Sequence, residues 1–416
     1  MRDAHAPFFC TFFLYHIFFS CGKIMIMTKS KKTITVVYAN EAPPKSLTKS
    51  IFLAGPTPRS KEVPSWRPEA LRILEKHGYD GVVFVPETSD GKWREDYVGQ
   101  VEWEERCLNI ADCILFWVPR EMTTMPALTT NSEWGMWQNS GKVVFGAPLE
   151  AVSVRYQRYY AEKLRVPHFT SLEETILGAL EYVGDGALRI DGERDVPLYI
   201  WETPHFQAWY AAQKGAGNRL DGAKVEWTFR AGPQKKFVFF WALHVNMHIT
   251  KENRNKTNEV VIGRPDVATI VMYRRGTTPD DSDIVLVREF RSPASTEDGF
   301  VWEVPGGSSF KPKDDQLALA TDECYEETGL RVDARRMRRH ESRQMVATLS
   351  SHKAHLFSVE ITDEELAQLR SFEGVARGVL EDSERTYVEI LKLSDIRKRP
   401  DIDWSVLGMI LSVLTP

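Results

Sequence analysis

The sequence lacks an excess of basic charge. Its 53 Lys and Arg residues are outnumbered by 58 Asp and Glu residues, which gives a formal net charge of −5. General nucleic-acid binding usually needs a basic surface, so this balance argues against that class of protein. A local basic groove stays open, but we expect a small-molecule partner and no nucleic acid.

Cysteine is scarce and shows no pairing pattern. The five cysteines are odd in number, and no two of them have the C-x-x-C spacing of metal or redox sites. Free thiols are typical of a reducing compartment. The sequence therefore predicts a cytoplasmic protein.

Long hydrophobic runs are also missing. The stretch PFFCTFFLYHIFFSCG, residues 7–22, has about 16 residues, fewer than the roughly 20 that span a bilayer. Arg2 is offset by Asp3, which makes a signal peptide weak, and FFSC only faintly suggests a lipoprotein cleavage site. We interpret residues 1–33 as an extension, either disordered or translated upstream of a true start at Met25 or Met27. No membrane partner is expected.

Strand and helix patterns alternate over residues 34–183. Apolar runs such as SIFLAGP, GVVFVPE and CILFWVP are bounded by Gly and Pro, and WRPEALRILEKHG has apolar residues at helical spacing. This alternation predicts parallel βαβ units. The polar, Gly-rich segment 184–196 is predicted to be a linker.

The pattern changes over residues 197–416. Five consecutive strand patterns precede one acidic helix, and two more strand patterns follow at KAHLFSVEI and RTYVEILKL. Strands first and a helix later predict an α+β domain with a mixed sheet.

The acidic helix carries unusual charge. Glu323, Glu326 and Glu327 share a helix face, where like charges repel. A Mg²⁺ ion, or Mn²⁺, would reverse that cost, since such hard cations prefer carboxylate oxygens. Gly306 and Gly307 precede the helix and allow close approach of backbone to a ligand. These residues favour a metal–pyrophosphate site, although a solvated acidic face is the plain alternative.

This region resembles the Nudix hydrolases, whose box reads G-x5-E-x7-R-E-U-x-E-E-x-G-U with U apolar. Matches to the box are Glu323, Cys324, Glu326, Glu327, Gly329 and Leu330. Asp314 stands where the first Glu belongs, and Gly307 lies one residue early. The resemblance implies an α/β/α sandwich with metal ligands Glu323, Glu326 and Glu327, of which Glu327 is also catalytic.

One departure concerns Asp322, which stands where the box has an Arg that orients the carboxylates. Arg288 and Arg291 are our candidates for a substitute cation and for substrate binding, together with Gly306 and Gly307. The motif VREFR…WEVPGG resembles the ADP-ribose pyrophosphatase branch of the family. That branch usually needs one further acid, for which we predict Glu384 rather than Glu381, although an exposed acidic loop explains both equally well.

Three motifs mark the amino-terminal half. IFLAGPTPRS places Gly55 and Pro56 at a strand end, where open parallel sheets bind ligands. IADCILFWVPR places Asp112 before a strand, and LTTNSEWGMW places Glu133 early in a helix. A first-turn glutamate stabilised by the helix dipole is the alternative for Glu133.

Together these motifs resemble the nucleoside 2-deoxyribosyltransferase-like family, which has a flavodoxin-like sheet. The resemblance implies that Glu133 is the nucleophile and that Asp112 helps to hold the base. Arg59 and Ser60 would hold a 5′-phosphate, as in relatives that cleave nucleoside monophosphates, or simply belong to a polar loop. The family often has an Asp at the position of Ala127, which leaves base recognition open.

Both resemblances point to nucleotides. We expect a bifunctional enzyme in which the carboxyl-terminal half hydrolyses a nucleoside diphosphate derivative such as ADP-ribose. The amino-terminal half would cut or exchange an N-glycosidic bond. The alternative is a nucleotide-sensing binding protein whose degenerate box no longer turns substrate over. Both families commonly form dimers or larger assemblies, so we predict a homo-oligomer.

Overall fold

Buried apolar strands organise the amino-terminal half of the protein, which we describe from a computed structural model. The structure describes residues 33–60, 62–90, 96–232, 237–309, 315–378 and 385–415. The elements of this half are β1 (Thr35–Tyr38), β2 (Ser46–Leu47), β3 (Ser50–Ala54), α1 (Arg67–Lys76), β4 (Val82–Val85), α2 (Tyr97–Ile110), β5 (Cys113–Trp117), α3 (Leu128–Trp137), β6 (Val143–Gly146), α4 (Arg155–Lys163), β7 (His168–Phe169) and α5 (Leu172–Val183).

Six of these strands form a parallel sheet in the order β1-β4-β3-β5-β6-β7. Every residue of β3, β4, β5 and β6 is buried, as expected for parallel strands covered on both faces. Alternate residues enter two separate cores, so that Phe52 and Phe116 pack on one face while Leu53 and Leu115 pack on the other. This sheet fits the predicted flavodoxin-like fold.

The segment predicted as a linker is packed against this sheet. It contains β8 (Arg189–Ile190), which pairs antiparallel with β2, and a 3-10 turn, Asp191–Asp195. Arg189 is fully buried and makes a bidentate ion pair with Asp112, with both N···O distances 2.7 Å. Ser50 Oγ donates to the same carboxylate at 3.0 Å. The segment is therefore fastened to the sheet by a buried charge pair.

This position corrects the predicted role of Asp112. The residue comes directly before β5, so it lies at the amino end of a five-residue strand, whereas ligands bind at the carboxyl ends. At roughly 3.3 Å per residue, the strand separates Asp112 from that edge by about 16 Å. The Leu198 N–H donates to the carboxylate as well, at 3.2 Å. Asp112 belongs to the interior framework, away from the ligand-binding edge of the sheet.

A three-stranded antiparallel sheet follows. Its elements are α6 (Leu198–Trp201), α7 (Pro204–Gly215), β9 (Arg219–Ala231), β10 (Phe237–Ile249) and β11 (Arg254–Gly263), with β10 in the centre. Phe206 and Tyr210 of α7 pack on Trp241 and Leu243 of β10. The sequence predicted that these strands join the later ones in one sheet, but the structure gives them a sheet and a core of their own.

The last part of the chain forms a mixed sheet between helices. Its elements are β12 (Val267–Arg274), β13 (Asp283–Phe290), β14 (Phe300–Glu303), β15 (Gly306–Gly307), α8 (Gln316–Thr328), β16 (Arg338–Arg339), β17 (Arg343–Gln344), β18 (Lys353–Glu360), α9 (Asp363–Arg370), β19 (Ala376–Arg377), β20 (Thr386–Lys392), α10 (Leu393–Ile396) and α11 (Trp404–Leu414). The order β16-β18-β12-β13-β20-β19 contains one parallel pair, β12 with β18.

Helices cover both faces of this mixed sheet. Leu319 of α8 and Leu366 of α9 pack on one face, and Val406 and Ile410 of α11 pack on the other. The layers agree with the α/β/α arrangement predicted for this half. Within the described ranges, no helix is long and apolar enough to cross a bilayer.

The Asp112–Arg189 pair generates a stability prediction. Asp112→Asn leaves a buried guanidinium without its counter-charge, which should lower the free energy of unfolding by about 3–5 kcal/mol, measured by urea titration with circular dichroism. Asp395→Asn is the control, since Asp395 pairs with the exposed Lys398 at the surface, and it should change stability by less than about 0.5 kcal/mol. An Asp112→Asn protein of unchanged stability would contradict the framework role.

Candidate functional site

The carboxyl ends of β3, β4 and β5 meet at one edge of the parallel sheet. Gly55 follows β3, and a Cβ at this position would lie 2.2 Å from the Trp117 carbonyl oxygen at the end of β5. Its φ of +151° also favours glycine. Gly55 therefore allows two strand ends to approach closely at the edge where ligands bind.

Arg67, at the start of α1, reaches into this edge and is only 1% exposed. Its Nε donates to Leu53 O at 3.1 Å, and Nη2 donates to Gly55 O at 2.8 Å. Nη1 donates to Thr57 Oγ1 at 3.1 Å and to Glu87 Oε1 at 2.6 Å. The guanidinium thus fixes the loop after β3 and brings positive charge to the edge.

Glu133 lies in α3 and is half-buried. Burial raises the pKa of Glu133 to about 7, the nearby Glu104 adds to the rise, and Arg67 opposes it. The pKa of Glu104 is also raised, chiefly by burial, while a hydrogen bond from Gln100 at 3.0 Å and the charge of Arg67 lower it. A carboxyl group that titrates near neutral pH is suited to nucleophilic or proton-transfer chemistry.

The loop after Gly55 forms the rim of this site. Arg59 and Ser60 are exposed, and the Arg59 N–H donates to Thr124 O at 2.9 Å. Pro56 O accepts a hydrogen bond from Trp66 Nε1 at 3.1 Å. Pro56 therefore supports the loop through its backbone, and the predicted phosphate-binding side chains stand where a ligand could reach them.

The helix that carries Glu133 begins with strained backbone. Ala127 precedes α3 in the left-handed region, with φ of +57°, which costs a non-glycine residue about 1–3 kcal/mol. Arg120 holds the helix by donating to Asn131 Oδ1, and Gln157 donates to the same oxygen at 2.7 Å. Ala127, at whose position the family often has an Asp, therefore sets the backbone conformation at the start of α3.

In the carboxyl-terminal half, Glu327 of α8 is turned toward the loop that holds the two glycines. The Gly306 N–H donates to Glu327 Oε2 at 2.9 Å. Burial raises the pKa of Glu327 well above its usual range, and the charges of Glu323, Glu303 and Glu289 raise it further, while the Gly306 N–H opposes them. A cluster of four carboxylates thus surrounds this turn.

Gly307 makes room for Glu323 of the same helix. A Cβ at Gly307 would lie 2.3 Å from Glu323 Oε1, so any side chain would have to displace this carboxylate. Glu326 differs, because it is exposed and lines a groove with Asp322 and Arg331. Consecutive helical residues are about 100° apart around the axis, so Glu326 points away from the turn that Glu327 faces. In the structure Glu323 and Glu327 face the glycine turn and Glu326 faces the groove, so the metal-binding role of Glu326 stays a prediction.

Arg291 is the cation of this carboxylate cluster. Its Nε and Nη2 donate to Glu303 Oε2 at 3.0 and 2.8 Å, and Nη2 lies 2.9 Å from Glu289 Oε2. Arg288 instead donates to Asp298 at 2.8 Å and stacks over Phe300. Of the two predicted substitutes for the box arginine, only Arg291 lies among the carboxylates.

Glu323 and Glu327 carry the oxygen donors that a hard divalent cation prefers, but two carboxylates do not fill its coordination shell. Within the described ranges, no three His, Cys, Asp or Glu side chains are arranged to hold a metal. Mg²⁺ is usually held by one or two carboxylates together with waters and substrate phosphate oxygens. Glu323 and Glu327 supply two such carboxylates.

Three of the acidic residues considered in the sequence have no described position. Glu384, Glu381 and Asp314 lie outside the described residues. Two acids of the site have no local sequence motif and were not predicted: Glu87, which accepts a hydrogen bond from Arg67, and Glu104, whose charge raises the pKa of Glu133. Only the position of Glu87 just beyond β4, at a carboxyl strand end, could have indicated it.

Comparison with known proteins finds a family match in the amino-terminal half. The family model described as nucleoside 2-deoxyribosyltransferase like matches residues 48–151, a span that includes Gly55, Arg67, Glu104 and Glu133. The match supports a nucleoside 2-deoxyribosyltransferase-like domain at this segment, and it ends well before the acidic helix. No curated protein matches the chain.

Because the pKa of Glu133 is raised, we predict that its ionisation at high pH lowers the free energy of unfolding. The folded state prefers the protonated acid, so between about pH 4.5 and 7 stability falls as pH rises. Glu133→Gln removes this cost, and its melting temperature should exceed that of the wild type at pH 8 by more than at pH 5, measured by differential scanning fluorimetry.

Glu121→Gln is the matched control of opposite sign. Glu121 accepts hydrogen bonds from the backbone of Thr123 and Thr124, which lower its pKa to about 2. Its ionised form stabilises the fold above about pH 4.5, so the Gln variant should melt lower than the wild type at pH 8. A Glu133→Gln protein that also melts lower at pH 8 would contradict the burial of this carboxyl group.

Proposed function

We propose that the amino-terminal domain cleaves or exchanges the N-glycosidic bond of a nucleoside or nucleoside monophosphate. The observation that carries this proposal is Glu133, half-buried beside Glu104 and Arg67 in a segment that matches the transferase-like family. An ionised Glu133 would attack the anomeric carbon as the bond to the base breaks, which leaves a covalent glycosyl-enzyme. A second base or water then takes the sugar and releases Glu133.

The surrounding residues support this chemistry. The departing base needs a proton, and the half-buried Glu104, whose pKa is raised by burial, is an acid that could supply it. Arg67 favours the ionised form of Glu133 from a fixed position. Arg59 and Ser60 at the rim would bind a 5′-phosphate. Since attack needs the carboxylate, kcat/KM is expected to rise with pH up to about 7.

Replacement of Glu133 tests this proposal. Glu133→Ala should lower the release of free base from deoxynucleosides or their monophosphates by about 10³-fold or more, measured by chromatography, because the covalent step is lost. Glu102→Ala is the control, an exposed residue of α2 that should leave the rate unchanged. Base release that continues in Glu133→Ala would show that the nucleophile is another group.

We propose a second activity for the carboxyl-terminal half, the Nudix-type hydrolysis of a nucleoside diphosphate derivative such as ADP-ribose. The supporting observation is that Glu323 and Glu327 face the Gly306–Gly307 turn while Arg291 lies among the neighbouring carboxylates. Bound Mg²⁺ or Mn²⁺ would polarise the phosphate oxygens and activate water. The chain itself would position the ion through Glu323 and Glu327 and limit the repulsion between carboxylates through Arg291.

Incubation with Mg²⁺ and ADP-ribose tests the second activity. The wild type should release AMP, and Glu327→Gln should lower the rate by at least about 10²-fold, because one of two metal-binding carboxylates is lost. Glu373→Gln, an exposed residue after α9, is the control and should be as active as the wild type. Saturable binding of ADP-ribose without product would instead support a nucleotide-sensing protein.

A further inference from the structure

A separate cavity of about 400 Å³ lies between the three-stranded sheet and the mixed-sheet domain. Helix α7 and strands β10 and β11 form one wall, and residues 344–353 form the other. The two walls are joined by backbone hydrogen bonds, from Ile262 N to Leu349 O and from Ser351 N to Ile262 O, both 2.9 Å. The cavity is therefore preformed, and its volume is in the range of small-molecule sites.

Arg264 brings a positive charge into this cavity. Its Nη2 donates to Ser308 Oγ at 2.9 Å, and its guanidinium lies 5.4 Å from the ring centre of Phe240. The Nε atom is buried and has no hydrogen-bond partner, and within the described ranges no carboxylate lies at ion-pair distance. Because a guanidinium removed from water without an anion is unfavourable, an anionic ligand would stabilise this arrangement.

Flat, partly apolar surfaces form another part of the lining. His205 stacks on Trp241 with ring centres 5.9 Å apart and planes 8° apart, and its Nε2 is buried without a partner. Burial lowers the pKa of His205 to about 4, so the imidazole is neutral at physiological pH. Trp209 is half-buried beside it, and Met247 adds apolar surface. Such walls suit a planar heterocycle that offers a hydrogen-bonding group to His205.

We propose that this cavity binds a small planar heterocycle with an anionic substituent, the chemistry of a nucleoside monophosphate. The heterocycle lies against Trp209 and His205, and the phosphate or carboxylate pairs with Arg264. Lys353, exposed at the cavity lining, adds positive charge.

Two carboxylates also line the cavity, and each has a partner: Glu259 pairs with Lys256 at 2.9 Å, and Asp266 lies 3.1 Å from His355 Nε2. Neither Glu133 nor any residue of the acidic helix lines this cavity, although Arg264 contacts Ser308 next to the Gly306–Gly307 turn.

Titration calorimetry in EDTA, which removes any metal-dependent binding, tests this proposal with three probes. Adenosine 5′-monophosphate should bind at least tenfold more tightly than adenosine or inorganic phosphate, because only the first offers both groups. Arg264→Gln should weaken the monophosphate at least tenfold and leave adenosine nearly unchanged. Trp209→Leu should weaken both. If an aromatic carboxylate binds more tightly than the monophosphate, the cavity is still a binding site for a planar anion, but the anionic group is a carboxylate.

Matched variants separate this cavity from other binding sites. Arg254→Gln and Trp227→Leu remove an arginine and a tryptophan from the same sheet outside the cavity, and both should bind like the wild type. Ala212→Phe places a ring in the cavity from an exposed position on α7, so it should block binding even if Arg264→Gln fails to fold. Unchanged affinity in Arg264→Gln, Trp209→Leu and Ala212→Phe, or no binding by the wild type, would overturn the proposal.

Discussion

The buried guanidinium of Arg67 holds together the edge on which the amino-terminal site is built. It donates to the backbone carbonyl of Leu53 in β3, to that of Gly55 after the strand, and to the side chains of Thr57 and Glu87. These bonds fix a loop that could otherwise move, and the same charge favours ionisation of Glu133. Arg67 therefore has two roles at this site. Its hydrogen bonds hold the loop after β3, and its charge lowers the pKa of Glu133.

In both halves of the chain, partly buried carboxylates lie close enough to raise one another's pKa. Each gathers half-buried carboxylates next to a glycine-containing turn, and each sets one arginine among them, Arg67 in the first half and Arg291 in the second. Like charges that are taken out of water raise one another's pKa unless a cation offsets them. The pKa of one carboxyl group in each cluster, Glu133 and Glu327, is thus raised, which is typical of functional sites and costs stability.

Much of the amino-terminal architecture could be predicted from the sequence, because buried parallel strands read as continuous apolar runs between helical patterns. Asp112 was misassigned although its position before β5 placed it at the amino end, where a parallel sheet does not bind ligands. Arg67 and Glu104 were harder to connect with Glu133, since distant helices bring them together. The division of the later strands into two sheets also depends on tertiary packing, here of α7 on Trp241.

Asp322, which stands where the Nudix box has an arginine, faces an exposed groove in the structure. Helical residues four apart share a face, so Asp322 lies with Glu326 in an exposed groove, while Glu323 lies with Glu327 at the glycine turn. The acidic substitution therefore adds charge where water screens it. Arg291, from the segment after β13, pairs with Glu303 and Glu289, the carboxylates next to those at the turn. This arrangement is the basis on which we propose that the site works without an arginine at position 322.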